Sequence, residues 1–185
     1  MCMEKEPRNP NKVENGKITV LGLGESGKNI LNCLFEKNTD FNLLCTDWEE
    51  NCISESKIRT VKLFNGRDDY LNCLYDEIKD SSKLIITTGL GGRFGSFISS
   101  SIALLAKSLG IETKLVLSIP ADFEGRNRRS IANEALLALQ KFVYDCTVLP
   151  FDALISKIDT KTTLNDCFKI MDETVCRYIL GENII

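Results

Sequence analysis

The chain has 185 residues, 43% hydrophobic and 26% charged, with a formal net charge of −3 and a pI near 5.2, the composition of one ordinary globular domain with a sizeable core. The acidic balance, with basic residues interleaved among acidic ones, excludes a nucleic-acid surface, and the polar start "MCMEKEPRNPNKVENGK" offers neither a secretion signal nor a membrane span, so a cytoplasmic protein is expected. There is no histidine, which removes the commonest general base and metal ligand together, and Cys2, Cys33, Cys45, Cys52, Cys73, Cys146, Cys167 and Cys176 form no C-x-x-C pair and read as reduced, mostly buried thiols.

In chain order, residues 1–16 read as a disordered leader. "KITVLGLG" is a strand running into a glycine turn, and "GKNILNCLFEKN" follows as a helix with Ile30, Leu31, Leu34 and Phe35 at helical spacing. "FNLLCTD" and "KIRTVKLF" are further strands, and "DDYLNCLYDEIKD" is a helix with Leu71, Leu74, Tyr75 and Ile78 on one face. "KLIITT" is an apolar strand, and "FISSSIALLAKSLG" is a helix closed by Gly110, where left-handed caps favour glycine. "ETKLVLSIP" is a strand stopped by Pro120, and "RSIANEALLALQKFV" is a helix with a stripe of Ile131, Ala135, Ala138 and Phe142. "DCTVLP" is a last strand and "TLNDCFKIMDETVCRYIL" a long terminal helix. Strands separated by helix-length segments make right-handed crossovers, so the fold class is α/β with a mostly parallel sheet covered on both faces. Such sheets bind ligands at the carboxyl ends of their strands.

The turn "GLGESGKN", Gly22 to Asn29, fits G-x-G-x-x-G between a strand and a helix, and Asp47 ends the next strand 20 residues after Gly27, as in a dinucleotide fold. It also comes close to G-x-x-x-x-G-K-[ST], with Asn29 where a magnesium-binding hydroxyl belongs. Both patterns rest on one physics: glycine lets backbone N–H groups approach an anion at a helix N-terminus, where the dipole favours negative charge. A phosphate group is the expected ligand, the nucleotide's identity is open, and a tight turn that binds nothing is the bland alternative.

A second glycine cluster, "TTGLGGRFGSF", follows the "KLIITT" strand, where neither a dinucleotide fold nor a phosphate-loop NTPase demands one. Here the chain resembles the tubulin/FtsZ family. "TGLGGRFGSF" is similar to the family's G-G-G-T-G-[ST]-G signature, "PADFEGRNRRS" to its P-F-x-F-E-G-x-x-R segment, "LPFDALI" to P-N-D-x-L-L, and "TTLNDCFKIMDETV" to the start of its core helix. The resemblance runs from Lys17 to the C-terminus in matching order. It implies a Rossmann-like three-layer sandwich over residues 17–185, ending in a long core helix, that binds GTP or GDP with magnesium as an optional companion. By the same resemblance, the phosphates lie in the turns formed by Gly22, Gly24, Glu25, Ser26 and Gly27 and by Gly89, Gly91, Gly92, Arg93, Phe94 and Gly95. Asn29 touches the base, Glu124 and Arg128 face the ribose and neighbouring phosphate, Phe168 stacks on guanine, and Asp172 is available to the guanine ring N–H and amino group.

The departures from the family pattern carry their own expectations. Arg93 stands for a glycine, Phe94 for a threonine and Phe97 for the last glycine of the signature, so a crowded or altered pocket is expected, with Arg93 either turned inward onto phosphate or out to solvent. Glu25, Ser26 and Lys28 replace glycines, Phe151 replaces a base-contacting asparagine, Asp172-Glu173 replaces an asparagine-aspartate pair, and "KLFNGRDDY" is much shorter than the family's loop over the γ-phosphate. The family's water-activating acidic loop and second domain have no counterpart in the sequence, so self-sufficient GTP hydrolysis is not expected. A part in filament assembly or cell division, as a cap or regulator of a full-length relative or by self-association, is expected instead. On the terminal helix, Leu164, Phe168, Met171, Val175 and Ile179 form the stripe for the sheet, leaving Ile170, Tyr178, Ile184 and Ile185 to a partner or to solvent. Two other readings stay open: a scaffold that has lost nucleotide, and an NAD-dependent oxidoreductase, supported by "GLGESG" and Asp47 alone.

Overall fold

Short apolar runs alternate with amphipathic ones along the chain, and each run becomes one strand or one helix. The computed structural model describes residues 16–48, 58–63, 70–159 and 161–182. The expected leader apart from Gly16, the short loop within "KLFNGRDDY", Cys2, Cys52, Ile184 and Ile185 lie outside the described residues. The elements are β1 (Ile18–Leu23), α1 (Gly24–Glu36), β2 (Asn42–Trp48), β3 (Arg59–Leu63), α2 (Tyr70–Ile78), β4 (Lys83–Gly89), α3 (Arg93–Ser108), β5 (Glu112–Ile119), α4 (Arg126–Leu139), β6 (Asp145–Pro150), α5 (Phe151–Ile155) and α6 (Leu164–Ile179).

The six strands form one sheet in the order β3-β2-β1-β4-β5-β6, every neighbouring pair parallel. Successive side chains on a strand point to opposite faces, and both faces here are apolar. Leu21, Leu84, Ile86, Leu115 and Leu117 join one buried cluster with Ile98, Ile102 and Ala103 of α3 and Leu139 of α4. Val20, Ile85 and Val116 join another with Ile30, Leu31 and Leu34 of α1 and Met171, Val175 and Cys176 of α6. The result is the expected three-layer α/β sandwich ending in a long helix. Helix α6 starts at a built N-cap: the Thr163 hydroxyl oxygen accepts the Asp166 N–H at 3.2 Å, an arrangement worth about 1 kcal/mol.

Three expectations are corrected. Helix α3 begins at Arg93, four residues before the apolar periodicity that starts at Phe97, so Arg93 to Ser96 form a helical first turn rather than loop. On α6 the buried face is Cys167, Met171, Val175, Cys176 and Ile179, while Leu164 and Phe168 are exposed. Cysteine packs as a small hydrophobe, and a reading that counts only larger apolar residues places the stripe one step round the helix. On α4 the buried residues are Ala132, Ala135 and Leu139, since Phe142 lies beyond the helix end and the small alanines let α4 approach its neighbours. The six cysteines within the described residues are free thiols.

Candidate functional site

The order in which strands are added reverses between β1 and β4 while all strands stay parallel, and a cleft opens at the carboxyl ends of these two strands, where open parallel sheets place their ligands. Its geometry starts with the glycines. Gly24, with φ +67, turns the chain from β1 into α1 in a conformation that side chains with a Cβ avoid. Gly22 and Gly27 face each other beneath that turn, and a Cβ on Gly27 would stand 2.5 Å from the Gly22 carbonyl carbon. They therefore set the close approach of strand to helix and do not themselves line the cleft.

The second turn is tied to the first. Thr88 Oγ1 donates to the Leu23 carbonyl at 3.0 Å, and a Cβ on Gly95 would fall 2.2 Å from that same hydroxyl. Gly91, with φ +91, donates its N–H to Ser96 Oγ at 2.8 Å and packs under the Arg128 carbonyl, so it too lies behind the lining. Leu90 N–H donates to the Ser118 carbonyl at 2.8 Å, fixing the turn to the end of β5.

Two adjoining chambers make up the cleft. The larger, about 630 Å³, is lined by Gly24, Gly89, Gly92, Arg93, Phe94 and Gly95 from the two turns, with Asp47 and Trp48 from the end of β2. The smaller, about 220 Å³, is lined by Asn29, Glu124, Phe151, Phe168 and Asp172, with Ser118, Ile119, Pro120 and Met171 behind them. Glu25, Ser26, Gly89 and Arg128 line both. Apart from Gly22, Gly27 and Gly91, every residue expected at the site borders this cleft.

Phe94 does not crowd the larger chamber. Its ring is 7% exposed and meets Trp48 edge-on, with centroids 5.0 Å apart at 82°, because the first turn of α3 swings it sideways into the core. Phe97 is 63% exposed and does not line either chamber. Both rings leave the space between the turns open, which corrects the expected crowding. Arg93 remains exposed at the rim of the larger chamber, at the start of a helix with no acidic residue in its first turn.

In the smaller chamber, Phe151 is 3% exposed and sits between Phe168, at 4.9 Å between centroids, and Phe123, at 6.1 Å. The residue that replaces asparagine is thus the centre of an aromatic wall. Opposite it, the Asp172 carboxyl is pushed up to about 6, chiefly by burial, with hydrogen bonding from the Asn29 side chain pulling it down and the negative charge of Glu25 adding to the rise. Glu124 holds the turn before α4: its carboxylate accepts the Ala121 N–H at 3.0 Å and pairs with Arg128 at 3.0 Å. Arg129 bridges the Pro120 carbonyl, at 3.0 Å, and the carboxylates of Asp122 and Asp152, fixing this turn to α5. The sequence reading passed over Arg129, Ser118 and Trp48 as site residues. Their position at the ends of β5, α4 and β2 on the ligand side of the sheet is the signal that finds them.

No protein-family model matches the chain. It is 31% identical over 190 residues to the cell division protein FtsZ of Rickettsia conorii, covering 92% of this chain and 42% of that protein. It is 27% identical to the mitochondrial division protein fszA of Dictyostelium discoideum, over 92% of this chain and 37% of that protein. Among solved structures, an empty FtsZ dimer from M. jannaschii superposes with a TM-score of 0.81 at 22% identity, over 92% of this chain and 55% of that one. The GDP-bound CetZ1 monomer of Haloferax volcanii superposes with a TM-score of 0.75 at 14% identity, over 91% and 61%. The all-parallel sandwich is shared with these FtsZ and tubulin-like structures, and the chain belongs to the FtsZ/tubulin family. It spans about two fifths of the length of the Rickettsia FtsZ relatives it matches. Among the described residues, no helix is long and apolar enough to cross a membrane.

Proposed function

We propose that the cleft binds a guanine nucleotide, GTP or GDP, and that the protein acts in FtsZ-like filament assembly or its regulation. The supporting observation is the continuity of the two chambers through Glu25, Ser26, Gly89 and Arg128, which provides one cleft with a phosphate end and a base end. At the phosphate end, the backbone of both turns and the N-terminus of α3 present N–H groups to anionic oxygen, and Arg93 and Arg128 add guanidinium charge. At the base end, the Phe151 and Phe168 rings offer an apolar wall, and the Asp172 carboxylate accepts from the guanine ring N–H and amino group. Adenine offers no such pair of donors, so the wall alone does not distinguish the bases but Asp172 does.

Among the described residues no group of three or more acidic or cysteine side chains is placed to hold a metal ion. Magnesium, were it to accompany the nucleotide, would be held chiefly by phosphate oxygens, with Asp47 and Glu25 the carboxylates that line the phosphate end. Water activation is assigned to a group from a neighbouring subunit, so hydrolysis by the isolated chain is at most weak. The test is a titration of the purified chain with fluorescent GTP, GDP, ATP and NAD. Saturable binding of guanine nucleotides alone supports the proposal; binding of NAD in their place, or of nothing, overturns it.

A further inference from the structure

Helices α1 and α6 lie side by side and run in the same direction, and their facing residues meet in steps of one turn. Near the cleft, the Asn29 side chain hydrogen-bonds the Asp172 carboxylate. At the far end, Lys37 pairs with Glu182 at 3.8 Å. Between these two contacts stand Cys33, four residues after Asn29, and Cys176, four residues after Asp172. Four residues advance a helix by about 6 Å, so the cysteines face each other directly below the Asn29–Asp172 contact, packed in the same cluster with their thiols close enough to interact. Cys33 is half-buried and lines a surface groove of about 440 Å³ together with Asn29, Asp172 and Glu173. Cys176 is fully buried behind it. The proposed nucleotide site uses neither thiol.

We propose that Cys33 and Cys176 are a modification site: a reversible disulfide that clamps α6 to α1. The co-reactant is a low-molecular-weight disulfide of the oxidised-glutathione type. The Cys33 thiolate attacks one of its sulfurs, forming a mixed disulfide and releasing one thiolate, which takes up a proton. Cys176 then gives up its proton and attacks the Cys33 sulfur, expelling the second small thiol. One external disulfide is reduced to two thiols, and the two protein thiols are oxidised to one bond. The order of attack follows from access, since Cys33 opens on the groove while burial, followed by the contact with Cys33, pushes the Cys176 thiol well above its ordinary range. The bond links positions about 140 residues apart in the sequence and tightens the helix pair one turn from the base end of the cleft. Given the nucleotide site proposed above, on which this step rests, the clamp also holds Asp172 to Asn29 and weakens its hold on a base.

The full chain is incubated with oxidised glutathione, alkylated without reduction, digested and mapped by mass spectrometry. The expected product is a peptide pair joined through Cys33 and Cys176, absent after dithiothreitol and absent in Cys33→Ser, together with a melting midpoint raised by about 5 °C or more. Cys176→Ala leaves a cavity in the core, so Cys33→Ser is the working control, with Cys73→Ser, exposed on α2, as the control for a thiol outside the pair. Arrest at a glutathione adduct on Cys33, a bond to Cys45 or Cys167 in place of Cys176, or full linkage with an unchanged melting midpoint overturns the clamp. None of these readouts involves nucleotide. The coupling is read separately as a GDP affinity about fivefold or more weaker in the oxidised protein, and linkage with unchanged affinity overturns the coupling alone.

Discussion

Replacing Asp172 with asparagine separates stability from binding, because the two depend on this carboxylate with opposite signs. Its pKa lies at about 6 in the folded protein against an ordinary 3.8, raised first by burial. The folded state therefore holds the Asp172 proton more tightly than the unfolded chain does. The stabilising contribution is fully present below pH 3.8 and is lost as pH rises from there through 6, so at pH 7.5 the ionised carboxylate is a net cost to folding. A shift of two pKa units corresponds to at most about 3 kcal/mol, and partial solvent access reduces this to about 1–2 kcal/mol. Asp172→Asn keeps the shape and the contact with Asn29 while removing the charge. Its melting midpoint at pH 7.5 is expected to exceed that of the parent by about 3–6 °C, with the gap narrowing as pH falls from 6 toward 4. GDP affinity moves the other way. An amide cannot accept from both guanine donors as a carboxylate does, and loss of a charged hydrogen-bond pair corresponds to a tenfold or larger weakening. In the parent protein, GDP affinity falls as pH drops through 6, because protonated Asp172 is a poorer acceptor. Differential scanning fluorimetry across pH and fluorescent GDP titration measure both quantities on the same samples. A destabilised Asp172→Asn, or one that binds GDP as tightly as the parent, refutes the reasoning.

Other expectations follow from the same geometry. Gly27→Ala places a Cβ 2.5 Å from backbone that has no room to move and should cost about 3 kcal/mol or more in urea unfolding, whereas Gly92→Ala meets nothing within 4 Å and should stay within about 0.5 kcal/mol of the parent. Phe94→Ala removes a buried ring from the face of Trp48 and is expected to lose about 3–4 kcal/mol and to red-shift the emission of Trp48, the single tryptophan of the chain; Phe97→Ala, at an exposed position, should do neither. Arg129→Ala frees the turn before α4 from Asp122, Asp152 and the Pro120 carbonyl, and a loss of about 1–2 kcal/mol with faster amide exchange at Asp122 to Glu124 is expected by hydrogen-exchange mass spectrometry.

The element order was legible because hydrophobic period and glycine position are local properties of a chain. "KLIITT" reads as a buried strand before anything is known of its neighbours, and the paired glycine turns with the "PADFEGRNRRS" and "TTLNDCFKIMDETV" segments were enough to suggest the family and most of the cleft lining. The fate of Phe94 was not legible. Its residue type argued for a blocked pocket, but its direction depends on α3 starting at Arg93 and on Trp48 from another strand being there to receive it. Gly22 and Gly27 likewise looked like phosphate ligands by spacing, yet it is the approach of β1 to α1 that gives them their role.

The sequence by itself determined which segments become strands and helices, that the sheet is parallel, and that glycine turns sit where strands meet helices, since each follows from the periodicity and backbone freedom of neighbouring residues. Only the tertiary structure decided that Phe151 joins Phe123 and Phe168 in one wall, that Asp172 is half-buried beside Asn29 with its pKa raised to about 6, and that Cys33 meets Cys176. Those contacts join residues far apart in the chain, and their energies depend on distance and on exclusion of water, which take their values only once the layers have packed.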